Sequence, residues 1–177
     1  MLKNILYILI IVIVLLVLNE IIQGFIRQKH RQDLYKMAET RAKELNKPLV
    51  VFGDPHHGKG SRLYSLFMDN YGCGDETIDL TGAPKCPNGI KSDILDYLKK
   101  QKSNSKVIFI SCVLEYIDNI DEVIEELLRV AGSNENIFIV TVSEYTFAAY
   151  FYKEDEYKAL NIIKGPPFYE KITYQRI

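Results

Sequence analysis

The sequence is poor in cysteine. Its 177 residues include only Cys73, Cys86 and Cys112. An odd and sparse set of this kind is typical of a compartment in which thiols stay reduced, so the composition favours free thiols. A Cys73–Cys86 disulfide stays open as an alternative if the chain reaches an oxidising particle or lumen.

The chain also lacks a positive net charge, its formal charge being −1. Residues 27–47 carry seven Lys or Arg and three acids, a net +4, whereas residues 48–177 carry fourteen and nineteen, a net −5. Phosphate contacts need clustered cations, so the acidic part excludes nucleic-acid binding as a class of function. The basic part suits anionic lipid head groups, although a solvated helix with topology signals explains the same charges.

Residues 5–18 contain no charge, and apolar residues resume at Ile21. About 22 residues, or roughly 33 Å of helix, suffice to cross a bilayer, and no small-residue cleavage site of a signal peptide follows. Basic residues lie mainly after the run, which places the rest of the chain in the cytosol. The sequence predicts a transmembrane anchor over 1–26, a basic helical stalk over 27–47 and a globular domain over 48–177.

Residues 106–142 carry the clearest secondary-structure pattern. Apolar runs at 107–110 and 137–142 flank a segment with apolar residues at helical spacing. Strands that are apolar at successive positions are buried on both faces, so this segment predicts a strand–helix–strand unit in a parallel sheet covered by helices. The predicted buried face of the helix is Ile117, Ile120, Ile124, Leu127 and Ala131.

Shorter elements are predicted elsewhere. The stalk presents one apolar face, which consists of Leu34, Ala38, Ala42 and Leu45. Residues 82–92 are rich in glycine and proline and predict a loop. The remaining predicted elements are strands at 49–52 and 77–80, helices at 61–71, 94–101 and 145–152, and two final strands at 159–163 and 170–177.

A glycine-bearing turn follows the first predicted strand. It contains Gly53, Asp54, Gly58 and Gly60 and leads into a predicted helix. Turns at this place bind phosphates or nucleotides in α/β proteins, because a helix start offers free N–H groups and glycine lets a ligand approach the backbone. Gly53, Gly58 and Lys59 also fit a P-loop, but that motif requires Ser or Thr where Gly60 stands.

Later residues favour a nucleoside site over a P-loop. A P-loop protein normally places an acid after a later apolar strand to hold magnesium, yet Ser111 and Cys112 stand there. Asp79 instead lies 26 residues beyond Gly53, the distance at which Rossmann-like domains place an acid on ribose hydroxyls. A degenerate P-loop nucleotide binder is the weaker alternative.

The run from residue 103 to 142 resembles class I S-adenosylmethionine-dependent methyltransferases, which have a VLEH-like turn between the fourth strand and an acidic helix. Val113, Leu114, Glu115 and Tyr116 stand at those positions. The resemblance implies an α/β, Rossmann-like methyltransferase fold over 48–177, with a mostly parallel sheet and a terminal antiparallel strand. It also implies S-adenosylmethionine as the cofactor.

The same resemblance implies roles for single positions. Asp79 would bind the ribose and Asp93 would lie beside the adenine, while the catalytic residue stays unassigned. The implied cofactor-binding residues are Gly53, Asp54, Gly58, Gly60, Asp79, Asp93, Ser111, Cys112 and Glu115. The chain departs from the family in the bulky loop that begins at Asp54, which would obstruct the methionine end of the cofactor, and at Lys106, where the family often has an acid.

A narrower resemblance links the words GDPHHGKGS, YGCGDETIDLTG and CPNGIKSD to short membrane-anchored, methyltransferase-like proteins of large eukaryotic DNA viruses. Two functions therefore stay open. One is methyl transfer to a small molecule, lipid or protein near the membrane. The other is a catalytically inactive structural or interaction protein, such as a viral membrane or minor capsid component, with partners in that assembly and a location in the virion membrane.

Four residues have the side chains of a zinc site, namely His56, His57, Cys73 and Cys86. Their spacing fits no paired ligand motif. The sequence therefore favours loop histidines and unligated thiols, and it predicts no metal.

Overall fold

The computed structural model describes residues 2–56, 71–111, 113–114 and 117–140. Within these ranges the chain forms one five-stranded sheet with the order β3-β2-β1-β4-β5, parallel throughout. The elements are α1 (Leu2–Leu45), β1 (Leu49–Phe52), β2 (Glu76–Asp79), β3 (Gly89–Lys91), α2 (Ile94–Leu98), β4 (Val107–Ser111), α3 (Ile120–Ala131), a 3-10 turn (Asn134–Asn136) and β5 (Ile137–Val140). The predicted α/β class is confirmed, and the strand order is consistent with a Rossmann-like fold.

Helices cover both faces of the sheet. Every residue of β1 and of β4 is buried, because alternate side chains of each strand enter different cores. Val50 and Phe52 pack in the core beneath α2 and α3, whereas Leu49 and Val51 pack in the core beneath α1. The unbroken apolar runs of the sequence therefore result from a sheet between two helical layers.

The predicted strand–helix–strand unit is confirmed as β4, α3 and β5. Four of the five residues predicted for the buried face are buried, and Ile117 is partly buried ahead of the helix. Gly132 ends the helix with φ of +74°, and its N–H donates to the Leu128 carbonyl at 2.8 Å. This left-handed position favours glycine, as is usual after a helix.

The C-terminal half of α1 lies directly on the sheet. Its buried apolar residues are Leu34, Ala38 and Ala42, which are three of the four predicted for one face, while Leu45 is partly buried. The Tyr35 ring packs edge-on against Phe109 with 5.6 Å between the ring centroids. Arg41 Nε donates to Asn136 Oδ1 at 2.9 Å. Residues 27–47, predicted as a stalk, thus form one layer of the domain. A domain that began at Pro48 would lack this layer.

The N-terminal half of α1 continues the same helix through the predicted boundary between anchor and stalk. Residues 5–18 are apolar, and each side chain is 47–64% exposed. Among the residues that the structure describes, no helix is both long enough and apolar enough to cross a membrane.

The structure corrects several predicted elements. Residues 82–92 are not loop throughout, because Gly89–Lys91 forms β3 parallel to β2. β2 lies one residue earlier than predicted and ends at Asp79, and α2 ends at Leu98 rather than at 101. The predicted helix over 61–71, apart from Tyr71, and all elements predicted after residue 142, including the terminal antiparallel strand, lie outside the described residues.

A charged cluster joins β2, α2 and the segment before β4. Lys106 Nζ forms an ion pair with Glu76 Oε1, and the Tyr97 hydroxyl donates to Glu76 Oε2 at 2.7 Å. Burial acts to raise the pKa of Glu76, but the hydrogen bonds from Lys106 and Tyr97 outweigh it and hold that pKa below its ordinary value. Burial and the bond to Glu76 raise the pKa of Tyr97, so its hydroxyl remains a donor.

Acidification is expected to remove the contribution of Glu76 to stability. Because the pKa is lower in the folded chain, the contribution is fully present above the unfolded pKa of about 4.3 and is lost as the pH falls through the folded pKa. Glu76→Gln is expected to lower the free energy of unfolding by about 2 kcal/mol at pH 7 and to flatten its decline on acidification. Urea unfolding from pH 7 to pH 3 measures both.

The control for this prediction is Glu125→Gln, which removes the same charge from an exposed position on α3. It is expected to change stability by less than about 0.5 kcal/mol. Equal pH profiles for Glu76→Gln and the unmodified chain would show that the cluster does not contribute as described.

Candidate functional site

The carboxyl ends of the strands form the candidate site. In open parallel sheets, ligands bind outside these ends, at the point where the strand order reverses. Here that point lies between β1 and β4, because the order runs from β1 to β3 on one side and from β4 to β5 on the other. We define the carboxyl-end site by Gly53, Asp54, Asp79 and Ser111, which end or follow β1, β2 and β4.

The Asp79 carboxylate holds the turn after β1. Its Oδ2 atom accepts a hydrogen bond from the Asp54 backbone N–H at 3.1 Å, and the Gly53 N–H donates to the Ile78 carbonyl at 2.9 Å. Its Oδ1 atom accepts from the backbone and the hydroxyl of Thr81, at 2.7 and 2.6 Å. A carboxylate has about four acceptor positions, and donors among the described residues occupy three of those of Asp79.

Gly53 lies where three groups approach the backbone closely. Its φ is +99°, and a Cβ built there would lie 3.0 Å from the Ser111 carbonyl oxygen, 3.1 Å from Val113 Cγ2 and 3.3 Å from the Tyr71 hydroxyl. A side chain at this position would be both strained and crowded. Val113 and Tyr71 therefore occupy the space over the turn at the strand-order reversal.

The remaining predicted site residues have different outcomes. Asp93 caps α2, and its Oδ1 atom accepts from the N–H groups of Leu95 and Asp96 at 2.8 and 3.4 Å. The Ser92 N–H donates to the Asp79 carbonyl at 3.3 Å, so Asp93 follows a segment tied to β2. The predicted residues Gly58, Gly60, Cys112 and Glu115 lie outside the described residues.

A disulfide joins Cys73 and Cys86, whose Cα atoms are 5.7 Å apart. The expectation that both thiols are free is wrong for this pair, and the alternative pairing is the one formed. Pairing of β2 with β3 brings the segments before the two strands together. The imidazole Nε2 of His56 lies 3.7 Å from Cys73 Sγ. The backbone N–H of His56 donates to Asp54 Oδ1 at 2.8 Å.

The chemistry of the carboxyl-end site is that of a hydrogen-bond acceptor. The Asp54 backbone N–H contacts the Asp79 carboxylate, so two acidic residues lie at this edge of the sheet, and their charges oppose the binding of a phosphate. They suit hydroxyl groups, which donate to carboxylates, and groups that carry a positive charge. A sugar of a nucleoside meets these requirements better than a triphosphate does.

The fold and the site together describe an α/β protein with a parallel, Rossmann-like sheet and an acidic carboxyl edge. The chain matches no protein-family model, no curated protein and no solved structure. The residues of the carboxyl-end site and the exposed half of α1 are therefore the features that bear on function.

Proposed function

We propose that this chain is a membrane-associated protein that binds a nucleoside-containing ligand at the carboxyl-end site, with S-adenosylmethionine as the ligand and methyl transfer as the reaction. The position of Asp79 carries this proposal. Asp79 is the last residue of β2, and its carboxylate lies beside the Gly53 turn. Rossmann-like domains place at this position the acid that accepts hydrogen bonds from ribose hydroxyls. Donors among the described residues occupy three of the about four acceptor positions of a carboxylate, and the proposal assigns the fourth to such a hydroxyl.

Charge favours this ligand over a nucleoside triphosphate. S-adenosylmethionine carries a sulfonium cation, which the acidic residues Asp54 and Asp79 at this edge would attract, whereas they would repel a triphosphate. The same argument weakens the P-loop alternative. Methyl transfer depends mainly on holding the donor in line with a nucleophile, so the proposal requires no general base, and the substrate class is a small molecule, a lipid or a protein near the membrane.

A second candidate function is that of a catalytically inactive structural or interaction protein in a viral or membrane assembly. Two observations favour this structural role. Val113 and Tyr71 crowd the backbone of Gly53, and three of the acceptor positions of Asp79 already serve internal hydrogen bonds. In this case the carboxyl-end site stabilises the fold and binds no cofactor.

Calorimetry on the full chain in detergent micelles separates these functions, with S-adenosylmethionine, S-adenosylhomocysteine and magnesium ATP as ligands. We expect heat with the first two. Heat with ATP alone would favour the P-loop alternative. No heat with any of the three would overturn both ligand-binding proposals and leave the structural role.

Asp79→Asn is expected to weaken S-adenosylmethionine binding by about 1.5–3 kcal/mol, because it removes a charged acceptor of the ribose hydroxyl. Asp96→Asn is the matched control, since Asp96 is exposed on α2. Circular dichroism verifies that both variants fold. Unchanged affinity in a folded Asp79→Asn chain would refute the placement of the ribose.

The membrane part of the proposal depends on residues 5–18. Fourteen successive apolar side chains are exposed around the helix, and a helix that is apolar on all sides requires an apolar environment. The basic residues that follow favour a cytosolic domain, or the inner side of a virion membrane. In flotation with zwitterionic phosphatidylcholine vesicles, which carry no net charge to attract the basic residues 27–47, the full chain should rise and a chain of residues 27–177 should not. Equal flotation would contradict an anchor in residues 5–18.

A further inference from the structure

Three side chains of types that can bind metal ions lie together beside the carboxyl-end site. The imidazole of His56 and the sulfurs of Cys73 and Cys86 are all within 4.8 Å of one another. Cys86 is buried, and Cys73 and His56 are partly buried. Two sulfurs and one imidazole nitrogen form a donor set that zinc prefers.

One ligand pair already has the spacing of a zinc site. Zinc bonds of about 2.3 Å to sulfur and about 2.1 Å to nitrogen, at the tetrahedral angle, place the two ligand atoms about 3.6 Å apart. The distance from His56 Nε2 to Cys73 Sγ is 3.7 Å. Metal binding thus requires the Cys73–Cys86 bond to open, while His56 keeps its present distance from Cys73.

Neighbouring contacts hold the ligands near these positions. The Tyr35 hydroxyl donates to the Cys73 carbonyl at 2.7 Å, and Asp54 Oδ1 accepts from the His56 N–H at 2.8 Å. The Cys86 N–H donates to the Ala83 carbonyl at 2.9 Å. These bonds involve backbone groups of the three residues, so they do not depend on the state of the sulfurs.

We propose that His56, Cys73 and Cys86 form a redox-controlled zinc site, in which the reduced chain binds Zn²⁺ and the oxidised chain carries the disulfide. A dithiol reductant supplies two electrons and two protons, the S–S bond breaks, and the reductant leaves as its own disulfide. Zn²⁺ then displaces both thiol protons and forms two Zn–S bonds and one Zn–N bond to the neutral imidazole. Water fills the fourth position.

The reverse step balances in the same way. A disulfide oxidant takes two electrons from the two thiolates and leaves as a dithiol after gaining two protons. The Cys73–Cys86 bond forms and Zn²⁺ is released.

This switch reconciles two observations that point to different compartments. The charges that flank the apolar run favour a cytosolic domain, where thiols stay reduced, yet the structure contains a disulfide. In a reducing compartment zinc would link the turn after β1 to the segments before β2 and β3, and in an oxidising compartment the disulfide would link the latter two. The inference does not depend on ligand binding at Asp79.

The test uses the full chain in detergent micelles, reduced with a phosphine and exchanged into metal-free buffer. We expect one zinc per reduced chain and a cobalt–thiolate charge-transfer band when Co²⁺ replaces zinc. The oxidised chain is expected to bind neither ion. Cys73→Ser should weaken the band, because only the Cys86 thiolate is left, and His56→Ala should weaken zinc binding by about 100-fold, the upper end of what the loss of an outer-shell partner costs.

Matched controls exist for both variants. Cys112→Ser and His30→Ala remove a thiol and an imidazole outside the proposed set and should leave zinc binding unchanged. Circular dichroism separates loss of metal from loss of fold, and His56→Ala provides a test even if Cys73→Ser does not fold. Failure of the reduced, folded chain to bind zinc, or equal binding by the oxidised chain, would overturn the proposal.

Discussion

A chain of residues 48–177 is expected to lose cooperative folding. Without α1, the residues of β1 and β4 that pack beneath it become exposed, including Leu49, Val51 and Phe109. Each large apolar side chain that becomes exposed costs about 1.5–3 kcal/mol. The buried residues of α1 itself are removed with the helix, so their contribution to stability is lost as well. The total approaches the 5–15 kcal/mol that stabilises an ordinary domain. Urea unfolding followed by circular dichroism is the measurement.

A chain of residues 27–177 is the matched control, because it lacks the exposed apolar half of α1 but keeps the half that covers the sheet. It is expected to unfold cooperatively, with a midpoint close to that of the full chain. If the chain of residues 48–177 unfolded at the same midpoint, α1 would be a dispensable stalk, as its sequence alone suggests.

The role of α1 shows where sequence reasoning ends. Helical spacing of Leu34, Ala38 and Ala42 predicts an apolar face, and the structure confirms that face. Spacing does not say what the face contacts, since a stalk, a coiled coil and a helical layer of a domain share the same pattern. The adjacent basic charges and the apolar run favour a stalk, whereas burial of β1 and β4 on both faces requires a helical layer on each face of the sheet.

Elements without an apolar pattern escaped prediction. All three residues of β3 are exposed, so neither alternation nor an apolar run marks it, and the surrounding glycines and prolines indicate a loop. Gly89 is required there because a Cβ would lie 2.4 Å from the carbonyl oxygens of Gly82 and Ala83. The sequence favours free thiols because three cysteines are an odd and sparse set, whereas the Cys73–Cys86 disulfide forms where the pairing of β3 with β2 brings the two residues together.

The candidate site was predictable in part. Asp79 follows from its spacing after Gly53, and the structure joins the two turns through the hydrogen bond from the Asp54 N–H to Asp79. Val113 begins the VLEH-like run, but neither that run nor the sequence around Tyr71 indicates an approach to Gly53, which is a result of the tertiary fold. Any ligand that reaches the Gly53 backbone would therefore have to displace the side chains of Val113 and Tyr71.

The environment of Phe109 connects the core beneath α1 to this site. Phe109 is fully buried in β4. Its ring centroid lies 5.1 Å from that of Tyr71 and 5.6 Å from that of Tyr35. The Tyr71 hydroxyl in turn reaches the Gly53 turn, so a cavity at Phe109 would loosen a group that crowds the carboxyl-end site.

Phe109→Ala is therefore expected to lower the free energy of unfolding by about 3–5 kcal/mol, through lost burial and the cavity that remains. The matched control is Phe138→Ala, because Phe138 pairs with Phe109 in the sheet and faces the same core but is only partly buried. Its expected cost is about 1–2 kcal/mol. Urea unfolding of both variants decides the comparison. Equal losses in the free energy of unfolding would mean that α1 and Tyr71 do not bury Phe109 more completely than Phe138. The proposed link between Phe109 and the Gly53 turn would then be contradicted.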